Sequence, residues 1–418
     1  MTEHDCDDSG PQQADASRSF PPGPHPVRHI VTPFARAGRF YAQSWQEYLG
    51  RQASELPVAR PTLALAAQAF IDEFVMMSFR LVRRMGDPQG FDRIEDEAAA
   101  ALEFYRRTGW LDNPEGFFAS PPPLTDVTVR HKQDRRRSHE RIRFDSGYAP
   151  NPGEPGAERW LSYTGNDREY ALVLRHDEPR PWLVCIHGSA MGRAAIDLRL
   201  FRAWHLHEDL GLNVVLPVLP MHGPRRRGLP DGASWPGEDV LDNVHATGQA
   251  VWDIRRLLSW IRLQEPGSPI GLNSMSLGGY IASLVASLED DLTCAILGVP
   301  VVNLFEMLGH HGAGMLSRDD PRTQLMEKVA PIGRMLSPLS LAPRVPMQGR
   351  FVYAGVADQI VHPRAHAVRL WEHWGRPQAH WYRGGHTGFF RSRPVQEFID
   401  DALAQSGLIQ PSQTSAGV

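Results

Sequence analysis

Residues 269–289 read PIGLNSMSLGGYIASLVASLE: a short apolar run, a knot of serines and glycines, then an amphipathic stretch with helical spacing. That succession predicts a buried strand, a tight turn and a helix. At the turn, Ser274-Met275-Ser276-Leu277-Gly278 approximates the pattern G-x-S-x-G, with a serine in place of the first glycine. A strained turn of this kind accepts only small residues two positions either side of its apex, because strand and helix pass close together there. Ser274 and Gly278 meet that rule around Ser276. Placing Ser274 at the apex would put Leu272 two positions before it, and leucine is too large. A serine-rich turn alone is most often structural, so the rest of the chain decides.

From Trp182 onward, apolar runs alternate with helical spacing. The runs are WLVCI (182–186), NVVLPV (213–218), IGLN (270–273), CAILGV (294–299), RFVYAGV (350–356) and AHWYRG (379–384). Helices are expected near 193–208, 239–264, 277–289, 364–375 and 393–405. Continuous apolar strands between helices predict an α/β fold with a mostly parallel, doubly wound sheet covered on both faces. Upstream, Leu124–Val129, Ile142–Phe144, Ala157–Tyr163 and Tyr170–Leu174 read as short strands that begin the sheet in antiparallel fashion.

Residues 28–117 carry helical spacing, with Leu63, Ala67, Phe70, Phe74 and Met77 three or four apart. They are expected to form a separate N-terminal helical segment, closed off by Pro121-Pro122-Pro123, which can continue neither helix nor ladder. Residues 1–27, poor in large apolar groups, are expected to be a disordered tail. Residues 118–406 would then be the α/β domain and 407–418 a flexible C-terminus. Within that domain the excursion at 303–344 breaks the strand–helix rhythm and is expected to act as a lid.

The net charge of −4 and hydrophobic fraction of 42% over 418 residues give no reason to expect nucleic acid or a membrane surface as partner. The most apolar helical stretch, TLALAAQAFIDEFVMMSF at 62–79, is interrupted by Gln68, Asp72 and Glu73, so no membrane span is expected. The beginning, MTEHDCDDSGPQQADAS, lacks the positive start and apolar run of a secretory signal, and a cytoplasmic location is the expectation. Cys6, Cys185 and Cys294 are widely spaced; the latter two sit in apolar runs and are expected as buried thiols. His310-His311 has no metal-ligand spacing around it, so neither metal nor cofactor is expected. Oligomeric state is not legible.

In a parallel α/β sheet, reactive groups gather at the carboxyl ends of strands. There stand Ser276 after IGLN, Asp358 after RFVYAGV, His386 after AHWYRG, and His187-Gly188-Ser189-Ala190-Met191-Gly192 after WLVCI. The order Ser…Asp…His, with the HG turn, resembles the α/β-hydrolase fold over roughly residues 180–405. The resemblance implies Ser276 as nucleophile, Asp358 as acid and His386 as base. It further implies an oxyanion hole from the backbone N–H of Leu277 and that of Ser189 or Ala190. The expected activity is hydrolysis of a carboxylic ester in a small-molecule acyl substrate through an acyl-enzyme. Thioesterases, peptidases, acyltransferases and C–C hydrolases share the same triad, and a ligand-binding protein on this fold is the non-enzyme alternative.

Substrate contacts are expected from His187, Met191, Arg225 and Met307. Arg225 lies with Arg226 and Arg227 in MHGPRRRG (221–228), where a guanidinium can meet an anion. Met307 would line an acyl pocket with Trp235, Leu308, Met315 and Met326. His187 has structural hydrogen bonding as its rival role. The cluster Arg135-Arg136-Arg137, with Arg141 and Arg143, reads as a charged sheet edge.

Overall fold

Strands buried on both faces organise the protein, and successive side chains of the central strands pack into different hydrophobic clusters. In β4 (Trp182–Ile186), Trp182, Val184 and Ile186 join one cluster, while Leu183 and Cys185 join the other. The computed structural model describes residues 38–39, 41–42, 62–82, 88–134, 137–313 and 320–409. Among these, nine strands form one sheet in the order β1-β2-β3-β5-β4-β6-β7-β8-β9. The strands β1 (Thr128–Asp134), β2 (Arg137–Asp145) and β3 (Arg168–Leu174) run antiparallel, and β3 pairs antiparallel with β5 (Asn213–Pro217). From β5 through β4, β6 (Ile270–Met275), β7 (Leu292–Gly298), β8 (Arg350–Gly355) and β9 (Gln378–Tyr382), all pairs are parallel. Strand order reverses at β4, which creates a crevice at the strand ends beside it.

The helices in chain order are α1 (Leu63–Val82), α2 (Pro88–Arg107), α3 (Ala157–Ser162), α4 (Ala194–Leu200), α5 (Val240–Gln264) and α6 (Leu277–Val285). They continue with α7 (Leu304–Ala313), α8 (Pro321–Lys328), α9 (Ala330–Met335), α10 (Ala367–His373) and α11 (Arg393–Gln405). The long α5 starts at Asp239, whose carboxylate accepts the N–H groups of Leu241 and Asp242, a cap worth about 0.5–2 kcal/mol. Its buried face packs with α6 and α2 on one side of the sheet, whereas α11 packs on the other. No described helix is long and apolar enough to cross a membrane. Cys185 and Cys294 are buried free thiols, and burial pushes the pKa of each upward.

Several expectations need correction. Ala157–Tyr163 is helical over Ala157–Ser162, because Trp160 and Tyr163, three apart, both turn inward as one helical face. β1 begins only at Thr128, since the Leu124 N–H donates to Ser259 Oγ of α5 at 2.9 Å instead of joining a ladder. Arg141 and Arg143 lie where β2 is paired on both sides, which is no sheet edge, whereas Arg137 is paired with β1 alone. Arg135 and Arg136 lie outside the described residues. The helix expected over 193–208 is broken in two: α4 ends at Leu200, Arg202 takes φ 51°, and His205–Asp209 forms a separate π-helical turn.

Nor are residues 28–117 a segment with its own core, as far as they are described. Phe91, Ala98, Ala101, Phe104 and Tyr105 of α2 share one cluster with Trp182 and Leu272 of the sheet. Arg159 of α3 binds Glu97 of α2 together with Asp239 and Asp242, stitching the same seam. The excursion at 303–344 contains α7, α8 and α9, and Lys328 of α8 pairs with Glu95 of α2. Leu408 and Ile409, expected within a flexible terminus, are buried against the α11 side of the core. The expected tail at 1–27, most of 28–61, residues 314–319 with Met315, and 410–418 lie outside the described residues.

Candidate active site

The turn between β6 and α6 is a single residue. Ser276 has φ 56° and ψ −119°, a conformation that costs a non-glycine residue about 1–3 kcal/mol. Its N–H donates to Gly298 O at 2.8 Å and its carbonyl accepts the Tyr280 N–H at 3.1 Å, so neighbouring backbone holds the strain. Two residues on, a Cβ at Gly278 would stand 2.0 Å from Ile186 O and 2.5 Å from His187 O, a space only glycine fits. Two residues before, Ser274 is fully buried and its hydroxyl donates to Ile296 O of β7 at 3.1 Å. Ser274 thus ties strands together, while Ser276 is partly exposed at the apex.

His386, beyond β9, places Nε2 3.0 Å from Ser276 Oγ and Nδ1 2.7 Å from Asp358 Oδ2, in the loop after β8. A carboxylate accepts only, so Nδ1 carries the proton and Nε2 is left to accept the serine O–H. The other Asp358 oxygen accepts the N–H groups of Ile360 at 2.9 Å and Val361 at 2.7 Å, which fixes the carboxylate plane. Burial works to lower the His386 pKa. The charge and hydrogen bond of Asp358, with the charge of Asp72, outweigh it and hold the imidazole above its ordinary value.

The loop after β4 packs against the same serine: the Gly188 Cβ position lies 3.3 Å from Ser276 Cβ. Ser189 is half-buried and Ala190 exposed, with φ 63° at Ala190. Leu277 opens α6, where first-turn N–H groups have no partner within the helix. His187 does not face a ligand. It is buried, donates from Nδ1 to Gly188 O at 2.8 Å and accepts the Leu219 N–H on Nε2 at 3.1 Å. Burial, with His222 beside it, pushes its pKa down to about 3, so the ring is a neutral brace for the loop.

Arg225 also departs from expectation. It is 0% exposed, with Nη1 on Glu169 and on Val218 O at 3.0 Å. Nη2 donates to Asp253 at 2.9 Å and to Asn166 O at 3.0 Å. Its charge is spent inside the fold, whereas Arg226 and Arg227 are exposed. Met191 and Met307 are half-buried and pack against opposite hydrophobic clusters; Trp235 is buried. A cavity of about 400 Å³ lined by Ser146, Tyr148, Trp160, Asn166 and Gln249 contains none of Ser276, Asp358 and His386. Among the described residues, no three His, Cys, Asp or Glu side chains gather as a metal ion would need.

Two residues escaped the sequence reading. Asp72 of α1 accepts the His386 N–H at 2.6 Å and the Gln359 N–H at 3.1 Å, both on Oδ2. One turn earlier, Gln68 Oε1 accepts the Gly385 N–H at 3.0 Å. Burial, and then the neighbouring Asp358, push the Asp72 carboxyl up to about 7. The available signal was a polar pair four apart, hence on one helix face, inside an otherwise apolar stretch.

The chain is 62% identical over 405 residues to the uncharacterized proteins MT2702 and Rv2627c of Mycobacterium tuberculosis, covering 97% of this chain and 97% of each of them. No family model matches it. An acetyl xylan esterase from Paenibacillus sp. R4 superposes with TM-score 0.51 at 18% identity, over 70% of this chain and 92% of that one. Acetyl xylan esterase 1 from Thermoanaerobacterium sp. JW/SL YS485 gives TM-score 0.47 at 15% identity, over 72% and 93%. The chain belongs to the family of the two mycobacterial proteins and has the α/β-hydrolase fold.

Proposed function

We propose that the protein is a serine hydrolase that cleaves a carboxylic ester of a small acyl substrate through an acyl-enzyme. One observation carries this reading: the relay Ser276 Oγ to His386 Nε2 at 3.0 Å and His386 Nδ1 to Asp358 at 2.7 Å, hung on the strained turn at Ser276. A serine hydroxyl is a poor nucleophile until a base takes its proton. As Oγ bonds to the carbonyl carbon, Nε2 takes that proton, and Asp358 balances the imidazolium while holding its tautomer. The carbonyl oxygen becomes an oxyanion, met by the N–H of Leu277 and that of Ser189 or Ala190. Each such donor is worth about 3–4 kcal/mol of barrier. The imidazolium returns its proton to the leaving alkoxide, the C–O bond breaks, and the acyl group stays on Oγ. Water then repeats the sequence through the same histidine, and the acid leaves.

The reading needs no cofactor. Its catalytic unit takes in α1 and α2 together with residues 118–406, because α1 touches the acid and histidine loops and α2 shares the core. We place it in a reducing cytosol, where buried Cys185 and Cys294 remain thiols.

The test is labelling with a fluorophosphonate probe. The parent and Ser274→Ala are expected to react, whereas Ser276→Ala and His386→Ala are not. A parent that stays unlabelled overturns the serine-hydrolase reading, and labelling that survives Ser276→Ala moves the nucleophile. A chain-length series of p-nitrophenyl esters then examines the ester class. Labelling without turnover of any member of the series overturns it.

A further inference from the structure

The histidine and the acid both sit on loops beyond the sheet, where strand pairing no longer fixes the backbone. Three N–H groups of these loops are pinned by side chains of one helical turn that lies 287 to 317 residues earlier in the chain. Asp72 Oδ2 receives the N–H of His386 from one loop and that of Gln359 from the other, while Gln68 Oε1 receives the N–H of Gly385. One carboxylate oxygen is thus the meeting point of the acid loop and the histidine loop. The approach is close: a Cβ at Gly385 would stand 2.5 Å from Asp72 Oδ2. Direct contact between the loops adds a bond from the Ala357 N–H to Gly384 O at 3.0 Å.

The placement of Asp72 is costly for a residue that merely packs α1 onto the sheet. It is 0% exposed, and a carboxyl brought out of water beside the charge of Asp358 is stabilised by the charge of His386 and by the two N–H groups it holds. An apolar residue at that position would seat the helix at less cost. What Asp72 supplies, and an apolar residue does not, is a fixed acceptor for the two backbone N–H groups that set where Asp358 and His386 stand.

We propose that Asp72 is a positioning residue of the hydrolytic site, its Oδ2 clamping the acid and histidine loops so that the imidazole stays aligned between Asp358 and Ser276, with Gln68 as a secondary clamp. The proposal rests on the serine-hydrolase reading. The imidazole must span two hydrogen bonds at once, and misplacement of a reacting group by about 1 Å can cost on the order of a hundredfold in rate. The clamp therefore acts on kcat and leaves substrate binding nearly untouched.

The experiment compares full-length parent, Asp72→Ala, Asp72→Asn and Gln68→Ala in kcat and KM on a p-nitrophenyl ester, with thermal unfolding checked for each. Asp72→Ala is expected to lose about 10- to 100-fold in kcat with KM within about twofold. Asp72→Asn keeps a carbonyl oxygen for the same two N–H groups and is expected to stay within about threefold of the parent. Gln68→Ala, which frees one N–H only, is expected to lose about threefold. A folded Asp72→Ala that keeps its kcat within about twofold overturns the proposal, as does an Asn variant that loses as much as the Ala variant. Should Asp72→Ala not fold, Gln68→Ala decides in its place: an unchanged kcat overturns the clamp, and the expected loss at constant KM supports it. A parent that reacts while these variants are unaffected sinks this inference alone. A parent that turns over no ester and takes no fluorophosphonate sinks the hydrolase reading and the clamp together.

Discussion

Replacing Arg225 with leucine separates an internal brace from a substrate contact. The guanidinium is wholly buried between Glu169 and Asp253, themselves 1% and 2% exposed, and also serves the carbonyls of Val218 and Asn166. Breaking a buried ion pair by removing one partner costs about 3–5 kcal/mol, because the remaining charge is left without compensation. Arg225→Leu strands two carboxyls, and the Val218 carbonyl loses this donor at about 1–3 kcal/mol, while Asn166 O keeps its bond from Gln249 Nε2 at 2.7 Å. These terms are not additive, since the carboxyls take up protons and the loops relax, so a loss of about 4 kcal/mol or more is expected. That is a large part of the roughly 5–15 kcal/mol by which a typical domain is stable.

Urea unfolding followed by tryptophan fluorescence reads the loss, and pH supplies a second arm. Burial already pushes Glu169 and Asp253 upward against the pull of Arg225. Without the arginine, their folded-state values rise further above the unfolded values of about 4. From about pH 4 upward the native state then holds protons that the unfolded state has released, so stability falls as pH rises. The deficit against the parent is therefore expected to be larger at about pH 8 than at about pH 5. A variant within about 1 kcal/mol of the parent, with a raised KM for anionic esters, would refute the brace and return Arg225 to the substrate.

At the turn, Gly278→Ala drives a Cβ to 2.0 Å from Ile186 O, a backbone atom that cannot swing aside. A loss of about 1–3 kcal/mol or more is expected, with slowed fluorophosphonate labelling; a stable, fully reactive variant would show that α6 does not press on β4 as described. Asp197 is buried at the start of α4, where burial pushes its carboxyl up to about 7 against the opposing hydrogen bond from the Gly192 N–H. Between about pH 4 and that value the folded state keeps a proton the unfolded state has lost, so this group costs stability as pH rises and no further above it. The advantage of Asp197→Asn over the parent, measured as urea midpoints, is expected to grow from about pH 4 to about pH 7 and then level. A shrinking advantage would contradict the burial argument.

Much of the site is local chemistry and could be read residue by residue. Small residues at 274 and 278 mark Ser276 as the apex of a tight turn, because the steric demand acts over two positions. Apolar strands ending in Ser276, Asp358, His386 and the His187-Gly188 loop place four groups on one edge, because parallel strands share a carboxyl end. The readings that failed were those in which one local pattern suits two environments. Ala157–Tyr163 is short and partly apolar, as a strand would be, but Trp160 and Tyr163, three apart, share a face only in a helix, and the helix was realised. Arg225 sits in a run of three arginines expected near the pocket as an anion contact, yet it is wholly internal. His187 has two ring nitrogens for a ligand on paper and none in the fold, since both are spent on backbone.

By itself, then, the sequence determined the succession of strands from Trp182 onward, the turn at Ser276 and which residues stand at those strand ends, since periodicity and steric size act over a few neighbours. Only the tertiary structure decided which polar groups meet across the fold. Asp72 and His386 are 314 residues apart, and nothing in the spacing of either predicts that one oxygen would receive two loops. Hydrogen bonds of that kind follow from how α1 packs on the finished sheet, and packing is a property of the whole chain.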